Sequence, residues 1–243
     1  MPMGPEPRGA GEAAGRTEPS AEPDIAQRLA AEALGTGLLT FLIVASGVLA
    51  ERNAGGSIAL AVLMTALTGA AGFLVLSRIL SPSAASGFNP ALTLALILAR
   101  RVDLMTGLCM AAAQIAASFL GVMLAHLVTN TGLVQVATQL ATGPGVWCGE
   151  FLGTGLFVFA MLSLMARGRE PLIPLTGASA LLAIALATPS LSFANPALTL
   201  ARSLTDSFTA IRLIDAGMIA GIQLLAALAA WLLHLSLSAK RDG

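Results

Sequence analysis

Asn89-Pro-Ala-Leu-Thr-Leu-Ala95 and Asn195-Pro-Ala-Leu-Thr-Leu-Ala201 are the same seven residues, set once in each half of a 243-residue chain that otherwise consists of long apolar runs. An internal repeat built on a short polar turn points to a duplicated membrane unit whose two turns meet at one site. Each copy reads as a helix start. Asn is a strong N-cap, and Pro suits the first helical position, where its missing N–H needs no partner. The segments that come next, 91–99 and 197–204, are too short to cross a bilayer, because nine helical residues rise only about 14 Å. They must enter the membrane and return.

The composition fixes the solvent. Hydrophobic residues make up 56% of the chain and charged residues 11%, and the mean hydropathy is +0.83, so an integral membrane protein is expected. Apolar runs at 29–50, 57–79, 104–128, 146–167, 171–188 and 213–237 suit spans of about 20 residues. Little chain remains for a soluble catalytic domain, and a net charge of zero gives no footing for a nucleic acid. Cys109 and Cys148 have neither CxxC nor CxxH spacing; no metal or redox centre is expected, and both read as small apolar core residues. His126 and His234, near span ends and without a paired ligand, read as core or interfacial histidines. No nucleophile, base or metal cluster suggests an enzyme, and no cofactor is implied. Residues 1–27, rich in Gly, Pro, Ala, Glu and Arg, read as a disordered cytoplasmic tail without signal-peptide architecture.

Three spans and one re-entrant segment per unit make an odd number of crossings, so the second unit (146–238) is inverted relative to the first (28–130). The likeness extends beyond the heptads. Glu32-Ala-Leu-Gly-Thr-Gly-Leu38 is echoed by Glu150-Phe-Leu-Gly-Thr-Gly-Leu156, and Gln114 by Gln223. With the N-terminus inside, ten of the thirteen Lys and Arg residues fall on the cytoplasmic side and only Arg52, Arg202 and Arg212 outside, the bias expected of the positive-inside rule. Two half-helix starts facing each other at mid-depth would place about half a positive charge each, plus Asn donors, before the lumen. Glu32 and Glu150, costly in mid-span, are expected to serve as structural carboxylates that accept N–H groups of the extended stretches 81–88 and 189–194.

Together these residues resemble the major intrinsic proteins, the aquaporin and aquaglyceroporin family, over essentially all of 28–238. The paired Asn-Pro-Ala boxes, the two Glu-x-x-Gly-Thr-Gly starts and the two Gln-bearing third spans follow the family's order. The resemblance implies an all-α membrane protein: an aquaporin-like bundle of six transmembrane helices plus two re-entrant half-helices, an inverted internal repeat, one pore per subunit and a homotetramer. It places the pore centre at Asn89, Pro90, Ala91, Asn195, Pro196 and Ala197.

The resemblance also implies a selectivity ring, and here the chain departs from the usual pattern. Where the family commonly carries an arginine after its second box, this chain has Leu198. Arg202, one turn later, is expected to extend its stem outward toward solvent. Counting from the boxes, the other ring positions fall on Gly69, Ala183 and Ser192, and Gly87 stands where many members have a histidine. A ring of Gly, Ala, Ser and Leu is expected to be wide, apolar and free of bulky aromatics. The stretch Ser192–Thr199 is similar to that of a bacterial subgroup with an aliphatic residue in place of the arginine, some of whose members are associated with arsenic resistance.

The function expected is a passive channel for small uncharged solutes, namely glycerol-like polyols, water and neutral arsenicals, in the bacterial cytoplasmic membrane with both termini inside. Its partners are those solutes and membrane lipid. An inverted-repeat secondary transporter is the alternative, but it would want carboxylates or carbonyl clusters at mid-depth for a coupling ion, a role only Glu32 and Glu150 are placed to fill. A water-selective aquaporin and a non-conducting scaffold are the other readings.

Overall fold

The computed structural model describes residues 24–80 and 87–238. Within them, six helices are long and apolar enough to cross a membrane. The order is α1 (Ile25–Asn53), α2 (Ile58–Leu80), short α3 (Pro90–Leu98), α4 (Leu104–Val128), α5 (Pro144–Met165), α6 (Ile173–Ala187), short α7 (Pro196–Ala201) and α8 (Leu213–Ser238). Long, long, short, long occurs twice, and the chain is a multi-pass membrane protein with an inverted internal repeat.

Packing repeats with the order. α1 lies on α2 and α4, α5 lies on α6 and α8, and α2 meets α6 where the two units join. Both short helices contact α4 and α8, so each is held by the third long helix of its own unit and that of the other. The α1–α4 contact is backbone-close: at Gly121 a Cβ would run into the Gly37 carbonyl oxygen and Thr40. With no hydrophobic effect between helices in lipid, such small-residue contacts and dispersion hold the bundle.

Two boundaries differ from the sequence reading. α1 begins at Ile25, inside the stretch read as tail, because Asp24 and Gln27 form a capping box: the Gln27 N–H donates to Asp24 Oδ1 at 2.7 Å, and the Asp24 N–H donates to Gln27 Oε1 at 3.2 Å. The remainder of that tail, 1–23, and most of the stretch 81–88 lie outside the described residues. α7 ends at Ala201 and passes into a 3₁₀ turn, Arg202–Leu204. α3 and α7 plus this turn are nine residues each, so end to end they rise about 27 Å, close to the hydrocarbon thickness.

The cysteines are not core residues: both are exposed on the bundle's surface. The spans are apolar on every side, so apolar character alone cannot tell an inward from an outward position.

Candidate functional site

The two Asn-Pro-Ala boxes meet. Asn89 and Asn195 are extended N-caps of α3 and α7, at φ −144° and −137°. Asn89 Oδ1 accepts from the Ala91 N–H at 2.9 Å; Asn195 Oδ1 accepts from Ala197 at 3.0 Å and Leu198 at 3.3 Å. Each amide then donates to the opposite loop: Asn89 Nδ2 to the Ala194 carbonyl and Asn195 Nδ2 to the Phe88 carbonyl, both at 2.8 Å. Phe88 and Ala194, the residues just before each Asn, are left-handed at φ 63° and 52°, a conformation non-glycine residues seldom adopt and one that tends to mark functional sites. One N–H of each amide is therefore committed to the crossing bond, whereas the sequence reading aims both at the lumen.

Each box is tied back to its unit's carboxylate. Glu32 Oε2 accepts from the Phe88 N–H at 2.9 Å and from Gln114 Nε2 at 2.7 Å, and that amide nitrogen lies 3.2 Å from Thr93 Oγ1 in the first heptad. In the second unit Glu150 accepts from the Ser190 and Ser192 hydroxyls, both at 2.6 Å, and from Gln223 Nε2 at 2.8 Å, which also donates to Thr199 Oγ1 at 3.0 Å. Glu32 and Glu150 are buried, and a buried carboxylate is tolerable when several donors converge on it. The sequence leads one to expect backbone N–H donors in both halves; the donors to Glu150 are side chains instead. Ser118 of α4 adds a link the sequence does not suggest, its hydroxyl donating to the Ala197 carbonyl at 3.0 Å.

The ring positions scatter. Gly69 is buried, and its missing Cβ makes room for the Phe193 ring, which a methyl there would strike. A buried aromatic thus occupies the level expected to have none. The Ser192 hydroxyl is spent on Glu150, and its backbone N–H donates to Thr188 Oγ1 at 2.9 Å. Leu198 is buried on α7. Ala183 is exposed, in line with Leu175, Ser179 and Leu186 on the outer stripe of α6, while Leu181 and Ile184 face inward. Gly87 is left-handed at φ 61° and has the Phe73 ring 3.8 Å from where a Cβ would stand, which suits this tight turn to glycine.

Arg202 departs most from expectation. Its side chain turns inward and is 3% exposed. Nη1 donates to the Leu191 carbonyl at 3.2 Å and Nη2 to the Ser190 carbonyl at 3.0 Å, while Nε donates to the Thr209 carbonyl. Leu191 is itself left-handed at φ 50°, which sets its carbonyl for the guanidinium. His126 is a core histidine, its ring nitrogens each 2.9 Å from the Leu133 carbonyl and Thr205 Oγ1. His234 packs edge-on against Phe159.

A cavity opens on either side of the boxes. The first, about 300 Å³, reaches Phe88, Leu92 and Leu96 from a mouth with Arg28, Arg101 and Glu170. The second, about 610 Å³, reaches Ser190, Leu191 and Arg202 from a mouth that includes Glu51 and Ile58.

Two half-helices nose to nose between opposed cavities, stitched by their Asn caps inside six spans, define a polytopic membrane protein with a central paired-loop site. The sequence comparisons agree: the family model described as "MIP: Major intrinsic protein" matches residues 20–170. The chain is also 36% identical over 189 residues to the aquaglyceroporin AqpS of Rhizobium meliloti (strain 1021), covering 78% of this chain and 80% of that one. The chain belongs to the major intrinsic protein family, whose aquaglyceroporins are channels and not enzymes.

Proposed function

We propose that the protein is a passive channel for small uncharged solutes of the glycerol kind, with water as a co-permeant, through one pore in each subunit of a homotetramer. The observation that carries this reading is the reciprocal pair of Asn caps, which presents two half-helix N-termini to one point between the two cavities. Each terminus carries about half a positive charge. Together they favour a hydroxyl or water oxygen and oppose a cation or proton, as in aquaporin-type pores. The relative named an aquaglyceroporin supports the same solute class.

The narrow level lies at Gly69, Ser192 and Leu198 in this reading, with the aromatic wall supplied by Phe193. Since Ser192 gives its hydroxyl to Glu150, that wall is apolar and suits the carbon face of a polyol. The protein sits in the bacterial cytoplasmic membrane with both termini inside. The mouth beside Arg28 and Arg101, toward which Arg78, Arg100, Arg167 and Arg169 also lie in the chain order, is then cytoplasmic. The second mouth is external.

Stopped-flow light scattering on proteoliposomes tests the reading, with water, glycerol, urea and trivalent arsenical gradients in parallel. Gradient-driven glycerol flux that does not saturate is expected. Saturable, ion-coupled flux would mean a transporter, water flux alone a water-selective pore, and no flux a scaffold.

A further inference from the structure

We infer that Arg202 is the cation barrier of the external mouth, a specificity-determining residue standing one helical turn beyond Leu198. The inference rests on the channel reading above. Three observations carry it. Arg202 is buried yet lines the 610 Å³ external cavity. All three of its hydrogen-bond acceptors among the described residues are neutral main-chain carbonyls, those of Ser190, Leu191 and Thr209, and no carboxylate of those residues touches it; Glu150, the buried acid within its field, is already engaged by Ser190, Ser192 and Gln223. Those bonds use one N–H on each nitrogen, and a guanidinium carries five, so one remains on Nη1 and one on Nη2.

A cation without a contacting anion inside a membrane protein is expensive and marks function by default. Holding a loop does not require it, since any neutral donor satisfies a carbonyl. A permanent charge beside a water-filled mouth does what a neutral donor cannot: it raises the energy of every entering cation and leaves an uncharged solute unopposed. The two spare N–H groups offer that solute's hydroxyls a place to bind as it leaves water. Glu51, the acidic residue of the same mouth, is exposed at the rim, where water and salt screen it more than the buried guanidinium. The cytoplasmic cavity carries its arginines, Arg28 and Arg101, at its mouth and none at the equivalent buried place: the residue six places after the proline of the box is Leu96 there and Arg202 here.

The test uses the full-length protein in proteoliposomes, reading glycerol flux by light scattering and cation entry by a trapped pH dye and a trapped sodium dye under a clamped potential. Cation leak per unit of glycerol flux is the quantity compared. Arg202→Met is expected to raise it roughly tenfold, and Arg202→Lys, which keeps the charge, to hold it within about twofold of wild type. Arg202→His makes the charge adjustable in one preparation, so its leak should fall as the imidazole is protonated from about pH 8 to about pH 5. An unchanged ratio in Arg202→Met reduces Arg202 to a loop anchor and overturns the inference. Should the Arg202 variants fail to insert, Val62→Asp decides it: this half-buried residue of α2 lines the same cavity, and an added carboxylate there, less screened than the rim, should raise the ratio about threefold, an unaltered ratio overturning the proposal. Wild-type protein without glycerol flux sinks the channel reading and the barrier together, whereas normal wild-type flux with indifferent variants sinks the barrier alone.

Discussion

The two halves begin their short helices with the same seven residues and finish them differently. After Ala95 the chain reads Leu-Ile-Leu-Ala-Arg, stays α-helical to Leu98 and releases Arg100 to the surface. After Ala201 it reads Arg-Ser-Leu-Thr-Asp, tightens at once into a 3₁₀ turn and keeps Arg202 inside. The heptad is enough to fix a start: cap, proline, helix and crossing bond recur in both halves. The residues after the heptad decide the character of each mouth. The centre is accordingly symmetric, and the charge that meets a solute on entry is not.

The largest test of the symmetric part is at the carboxylates. Glu150→Ala removes the acceptor of two serine hydroxyls and the Gln223 amide, and buried donors left unpaired cost about 1–3 kcal/mol each. A loss of about 3 kcal/mol or more is expected, read as thermal unfolding or the folded fraction in detergent, and Glu32→Ala should fall in the same class. A mild loss at one site and a severe one at the other would break the equivalence of the two units.

The Asn caps sharpen it. Asn195 satisfies two N–H groups of its helix and Asn89 one, while both make one crossing bond. Losing a cap costs about 1 kcal/mol and up to about 2, so Asn195→Ala should cost about 2 kcal/mol and Asn89→Ala about 1 kcal/mol. The reverse order in thermal unfolding would show that the crossing bond and not the cap governs stability.

The local chemistry of this site is legible in the sequence; the directions are not. Asn-Pro-Ala announces a capped helix because capping involves only neighbouring residues, and Glu32 and Glu150 announce partners because a lone carboxylate in an apolar span is too costly to leave alone. Arg202 escapes such a reading because its direction depends on a switch from α to 3₁₀ winding, which changes the turn per residue, and on carbonyls delivered by a distant left-handed residue, Leu191. A clue is present all the same: an arginine within a segment too short to leave the membrane quickly. Phe193 is passed over because counting from the box selects Ser192, although a glycine at 69 leaves room for a ring. Ala183 sits on a stripe invisible in a helix that is apolar all round.

The asymmetric part is tested by giving the second half an arginine at the earlier position. Leu198 and Arg202 are four residues apart, hence neighbours on a helical face, and like charges at that spacing repel. That repulsion holds the new, longer side chain out in the lumen, where it narrows the passage, so Leu198→Arg is expected to cut glycerol flux about tenfold, equivalent to about 1.4 kcal/mol on the barrier, shifting the range toward water. The pair Leu198→Arg with Arg202→Leu should recover part of that loss by relieving the repulsion. Unchanged glycerol flux in the single variant would remove Leu198 from the narrow level.

The smallest effect concerns caps at the two depths. Of the helices that start at an aqueous end, α1 and α4 are capped by charged residues, Asp24 and Asp103, and α5 has Gly143 at its start with no side-chain cap, whereas the two starting at mid-depth use neutral Asn. Water carries the charge cheaply at the ends, and the bilayer interior does not. Asp103 is exposed, and hydrogen bonds from the Thr106 side chain and then from its N–H, the latter at 2.9 Å, hold the carboxyl below its ordinary range. Because the folded pKa is depressed, the ionised cap stabilises the protein above the unfolded carboxylate's pKa. That stabilisation disappears as pH falls through the lower folded value, which places the loss below about pH 4. Asp103→Asn keeps a side-chain oxygen for the Thr106 N–H but has nothing to titrate. Its unfolding temperature should match wild type near neutrality to within experimental scatter and lack this small increment of acid sensitivity. An Asp103→Asn protein that lost stability on acidification as steeply as wild type would show that the ionised Asp103 cap does not carry this increment.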